Sequence, residues 1–104
     1  MRARVLALLV ALTVAGSAYA QGRTQKQKIE EAMPHFQRGV ELYDENDFQN
    51  ALIEFRRAYE IAQDYHVLYN VAQTCYQLQN YACALDAFTR YLSEGGSAIA
   101  RERR

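Results

Sequence analysis

Tryptophan is absent from this 104-residue chain, proline occurs once, at Pro34, and cysteine twice, at Cys75 and Cys83. One proline leaves no room for a proline-rich linker or polyproline segment. The formal net charge is zero, from 12 basic and 12 acidic side chains. No broad field of one sign is therefore available to draw in nucleic acid or an anionic membrane. The five glycines form neither a phosphate-cradling G-x-x-x-x-G-K-S/T loop nor a G-x-S-x-G elbow. The cysteines are not arranged as C-x-x-C, and His35 and His66 fall in no H-E-x-x-H or comparable ligand spacing. Asp44, Glu45 and Asp47 cluster, but without the alternating ligands and central glycine of a calcium loop. No catalytic residue, cofactor or metal ligand is expected, and the chain is expected not to be an enzyme.

What is present begins at the N-terminus. Met1–Arg4 is short and basic, Val5–Ala15 is apolar, and Ala18-Tyr19-Ala20 has the A-x-A form of a cleavage site. Residues 1–20 therefore read as a cleaved signal peptide, with Gln21 as the new N-terminus. The apolar run falls short of the roughly 20 residues a membrane-spanning helix needs. A periplasmic or secreted location is expected, with no membrane insertion after cleavage. Arg2 and Arg4 leave with the signal, so the remainder carries 10 basic and 12 acidic side chains, a net −2.

The rest repeats itself. Phe48-Gln49-Asn50-Ala51-Leu52-Ile53-Glu54-Phe55 and Tyr81-Ala82-Cys83-Ala84-Leu85-Asp86-Ala87-Phe88 share the pattern aromatic-x-x-Ala-Leu-x-x-Phe. Laid one on the other, with Phe48 on Tyr81, the two segments extend upstream in the same register. That register pairs Gly39 with Ala72, Leu42 with Cys75 and Tyr43 with Tyr76. Phe48, Ala51, Leu52, Phe55, Ala58 and Tyr59 recur at helical spacing and form one apolar stripe. Small residues facing large ones let antiparallel helices approach closely. Asp47, Asn80 and Asp64 stand where helix N-caps are needed, and Asn46 where a left-handed residue ends a helix. Gly95-Gly96 predicts a stop, and Ser97 a cap for a further short helix. Thr24-Gln25-Lys26-Gln27 has capping-box form and predicts a helix from about Gln25 with Pro34 inside it. The alternative starts that helix at Pro34 and leaves residues 21–31 loose.

Residues 32–64 and 65–96 resemble two tetratricopeptide repeats. Gly39 with Ala51 and Ala72 with Ala84 supply the family's small pairs, while Phe48, Phe55, Tyr81 and Phe88 supply its aromatics. Ala58 fits the last small position of the first repeat. The family period of about 34 residues agrees with the spacing. The resemblance implies an all-α fold, a right-handed superhelical stack of two helical hairpins. Residues 21–31 would extend it at the N-terminus, and residues 97–104 would begin a C-terminal solvating helix. Three departures stand out: Gln63 and Gly96 replace the closing prolines, Tyr91 replaces a small interface residue, and no full third repeat follows.

The resemblance also implies a function, the binding of a protein or peptide partner by the concave face that the first helix of each repeat lines. The positions concerned are Met33, Phe36, Val40, Tyr43 and Asp44, then His66, Tyr69, Gln73, Tyr76 and Gln77. Phe36, Val40 and Tyr43, like Tyr69, Gln73 and Tyr76, also share one helical face by spacing. No basic residue stands among them, which disfavours recognition of a terminal carboxylate and favours a helix or extended apolar segment. Tyrosine presents a large surface at small entropic cost. Each of these residues has a second reading as helix-to-helix packing. Cys75 and Cys83 have two readings as well: a disulfide closing a short loop in an oxidising compartment, or two small apolar side chains. A scaffold of a bacterial cell envelope is the leading expectation. The alternatives are an N-terminal structural unit of a larger envelope protein, a homo-oligomer, and a small redox or metal-binding protein.

Overall fold

The computed structural model describes residues 22–103, so the signal-peptide reading of residues 1–20 lies outside it. Those residues form five helices and, among them, no strand: α1 (Gln25–Asp44), α2 (Phe48–Ala62), α3 (Tyr65–Gln77), α4 (Tyr81–Gly95) and α5 (Ser97–Glu102). α1 packs on α2 and α3 on α4 as two hairpins, α2 packs on α3, and α5 touches the end of α4.

Local chemistry starts each helix. The Thr24 hydroxyl accepts from Gln27 N–H at 3.1 Å while Gln27 Oε1 accepts from Thr24 N–H at 2.9 Å. The capping box is complete, and α1 runs unbroken through Pro34. Asp47 and Asn80 each accept through Oδ1 from the N–H three residues on, and Asp64 from that of His66. These bonds satisfy donors that have no partner inside the helix.

The two hairpin turns are wired alike. Asn46 N–H donates to Tyr43 O and Asp47 N–H to Leu42 O; at the equivalent places in the second hairpin Gln79 N–H donates to Tyr76 O and Asn80 N–H to Cys75 O, all at 2.8–3.0 Å. Asn46 and Gln79 both lie in the left-handed region, at φ 63° and 60°. The aromatic pairs repeat as well. Phe36 meets Phe55 and Tyr69 meets Phe88 at the same centroid distance, 5.7 Å. Tyr43 meets Phe48 at 5.0 Å and Tyr76 meets Tyr81 at 5.6 Å.

The core is a line of small and large residues along the hairpins: Gly39, Ala51, Phe55 and Ala58 in the first, Ala72, Cys75, Ala84 and Ala87 in the second, all buried. Burying a side chain the size of Phe55 stabilises by about 1.5–3 kcal/mol. Tyr91 is buried too, with ring centroids 5.8 Å from Tyr65 and 5.4 Å from Tyr69.

One cap departs from expectation. Ser97 does not cap α5; it is the first residue of that helix, and Gly96 holds the flanking position without a side-chain bond. The reason is the Gly96 backbone, at φ 49° and ψ −131°. Glycine adopts that conformation readily, and it turns the chain one residue earlier than the Gln63–Asp64 turn before α3.

Candidate partner-binding surface

Residues of α1 and α3 together line two open depressions. One, of about 120 Å³, is walled by Ile29, Met33 and Phe36 of α1, Ala58 and Ala62 of α2, and Asp64, His66 and Val67. The other, of about 310 Å³, is walled by Tyr43, Gln73, Tyr76, Gln77 and Phe88. Seven of the ten positions expected to face a partner thus line one hollow or the other. Their roles differ. Phe36 is half-buried against Phe55 and forms a wall more than a contact point. Met33 is 41% exposed and Tyr76 58%, so both present area to solvent. Val40 and Asp44 are exposed but line neither hollow, and Tyr69 spends its ring on Phe88 and Tyr91. No lysine or arginine lines either depression, and the one histidine, His66, is already engaged by Asp64 and Glu102, so the surface suits an apolar or aromatic segment rather than a carboxylate.

The rim at His66 is polar. His66 Nδ1 lies 2.6 Å from Asp64 Oδ1, and its Nε2 lies 3.0 Å from Glu102 Oε1. The Tyr65 hydroxyl donates to Glu102 at 2.7 Å, and the Tyr65 ring stacks on the imidazole at 4.1 Å. Partial burial disfavours the His66 cation, but the bonds to Asp64 and Glu102 outweigh it and raise the His66 pKa. The bond from Tyr65, followed by that from His66, holds the Glu102 carboxyl below its usual range. The same Glu102 bond pushes Tyr65 up to about 12. This clasp ties α5 to the start of α3. His35 is likewise engaged locally, with Nδ1 2.8 Å from Glu54 Oε2.

The opposite side carries a hollow that the sequence did not disclose. Its rim holds Arg56, Tyr59, Glu60, Asp86 and Arg90, and its floor Leu68 and Val71. The Arg90 guanidinium lies 5.0 Å over the Tyr59 ring and donates to its hydroxyl at 2.9 Å. The Tyr59 hydroxyl donates in turn to Glu94 at 2.5 Å. Burial, then the Glu94 bond, raises the Tyr59 pKa. Nothing in the spacing of these residues marks them, because the contacts join α2 to α4, which are not neighbours in the chain.

Cys75 and Cys83 are joined by a disulfide, with Cα atoms 5.7 Å apart. Cys75 is fully buried and Cys83 half-buried, and Arg56 Nη2 donates to Cys83 Sγ at 3.3 Å. The bond staples the end of α3 to the first turn of α4. Among the described residues no three His, Cys, Asp or Glu side chains converge as a metal site, and no helix is long and apolar enough to cross a membrane.

Comparison of the chain with protein-family models, curated proteins and solved structures finds no match.

Proposed function

We propose that the chain is an exported binding scaffold of tetratricopeptide type, without catalytic activity, that receives a peptide or helix of a protein partner on the surface shared by α1 and α3. The observation that carries this reading is the pair of depressions lined by those helices, largely apolar and free of lysine and arginine. Met33 and Tyr76 supply exposed contact area there, and Phe36, Tyr43 and Gln73 supply walls. The repeated turn bonds and repeated aromatic pairs support the family reading of the two hairpins. The Cys75–Cys83 bond supports a periplasmic or secreted location, since such bonds persist in oxidising compartments.

The test is site-specific photocrosslinking in envelope extracts. A crosslinker at Tyr76 should trap one defined partner, and a crosslinker at Arg57 should not. Met33→Ala with Tyr76→Ala should weaken binding of that partner while helical circular dichroism persists. Equal trapping from Tyr76 and Arg57, or binding indifferent to the double substitution, defeats the assignment.

A further inference from the structure

The two sulfurs of the Cys75–Cys83 bond have different surroundings. Cys75 is fully buried in the second hairpin. Cys83 is half-buried and lines the open hollow of about 300 Å³ between α2 and α4. A thiol reaching this bond from solvent therefore meets Cys83 Sγ first. Access decides which sulfur of a disulfide is attacked, so burial sets the direction of exchange.

Charge favours the same sulfur. Arg56 Nη2 donates to Cys83 Sγ at 3.3 Å. Among the described residues the ion pairs made by α2 and α4 are His35–Glu54 and Arg90–Glu94, and Arg56 enters neither. Arg56 is exposed on the rim, and a guanidinium has several N–H donors, so donors remain for an incoming anion. Arg90, also on the rim, is spent on Tyr59 and Glu94. Glu60 and Asp86 stand on the same rim and disfavour a large polyanion. Leu68 and Val71 give the hollow an apolar floor for a short carbon chain.

We propose that Cys83 is a thiolation site, modified through this hollow by a small carboxylate-bearing thiol. The thiolate attacks Cys83 Sγ. A bond forms between those two sulfurs, the Cys75–Cys83 bond breaks, and Cys75 Sγ leaves with the electron pair. Charge on buried Cys75 is unfavourable. That sulfur therefore takes a proton from water, or attacks Cys83 Sγ again and expels the thiol. No net oxidation occurs, because one disulfide replaces another. Arg56 binds the carboxylate of the thiol and stabilises negative charge gathering at Cys83 Sγ. Cys75 is the resolving thiol. The chain is the substrate of this exchange and not its catalyst.

The probe is β-mercaptopropionate, with mercaptoethanol as its neutral counterpart. The full chain is incubated with the thiol and quenched in acid, which halts exchange by protonating thiolates. Chymotryptic cleavage at Tyr76 and Tyr81, which lie between the two cysteines, separates them for mass spectrometry. The adduct is expected on Cys83 and not on Cys75. A Cys75→Ala chain treated with dithiodipropionate, the disulfide form of the probe, should take up one mercaptopropionate at Cys83 and keep it, since no resolving thiol removes it. Arg56→Gln in that background should slow the uptake at least about fivefold. It should slow uptake from the disulfide of mercaptoethanol less. An adduct on Cys75, or no adduct on Cys83 in either experiment, overturns the proposal. So does a rate indifferent to Arg56→Gln, or one slowed equally for both reagents.

Discussion

Gly39 and Phe55 share one space: a Cβ built on Gly39 would sit 2.7 Å from two carbons of the Phe55 ring. The ring is 1% exposed and has nowhere to retreat. Gly39→Ala therefore overpacks the first hairpin, at a cost of about 1–3 kcal/mol. Better helix propensity returns roughly 1 kcal/mol. A net loss of about 1 kcal/mol, or about 4–8 °C in melting temperature, is expected by calorimetry. An unchanged or higher melting temperature would mean that Phe55 is freer than its burial indicates.

Reduction of the Cys75–Cys83 bond opens a loop eight residues in sequence separation. The chain-entropy relation gives about 2–3 kcal/mol for such a loop. Dithiothreitol should lower the melting temperature accordingly, and mass spectrometry should show a gain of about two daltons from the two hydrogens added. A melting curve indifferent to reductant would show that helix packing alone holds the α3–α4 turn.

Gln63 and Gln79 both hold left-handed backbone, at φ 52° and 60°, where an L side chain costs roughly 1–2 kcal/mol. Replacing either with glycine should raise stability, by less than that figure because glycine also loosens the unfolded chain. Gly96→Ala should do the opposite and release α5, since φ 49° with ψ −131° is strained for any side chain. Urea unfolding with a constant slope measures all three.

The α5 clasp should respond to pH in a defined window. His66 is raised, so its contribution is complete below the ordinary histidine value of 6.5 and is lost as pH rises through its folded pKa. Glu102 is lowered, so its contribution is present above the ordinary 4.5 and is lost as pH falls through its folded pKa. The clasp is therefore tightest between about 4.5 and 6.5. At higher pH the neutral imidazole has one N–H for two carboxylates, while Tyr65 stays protonated and keeps its bond. Hydrogen exchange of α5 amides, corrected for intrinsic rates, should be faster at pH 8 than at pH 6. His66→Gln should remove that difference, and a wild-type rate that does not change with pH would exclude the clasp.

Features set by neighbours three or four residues apart were legible in the sequence. Thr24 with Gln27, Asp47, Asn80 and Asp64 act over one helical turn, and their residue types announce it. The match of Phe48–Phe55 to Tyr81–Phe88 exposed the hairpins because each apolar stripe has to be remade in every hairpin. What depends on how α4 is rotated against α2 was not legible. Arg56 beside Cys83 and Arg90 on Tyr59 are long side chains reaching between helices, with no spacing to reveal them. Ser97 misled because capping chemistry was read without the Gly96 backbone that moves the helix start. Of the candidate surface, helical spacing marked shared faces but not what each side chain does there: Phe36 and Tyr69 spend their rings on Phe55, Phe88 and Tyr91, and Val40 and Asp44 line neither depression.

The disulfide lies within a single hairpin, and that has a consequence for assembly order. Closing it requires only the end of α3, a short turn and the first turn of α4, all neighbours in the chain. The α3–α4 hairpin can therefore be oxidised as an independent early unit, before α1 and α2 have found each other. Most other packing is also between adjacent helices, a pattern that favours rapid folding by propagation from whichever hairpin forms first. The covalent bond keeps the end of α3 beside the first turn of α4 even when the helix packing around them is lost.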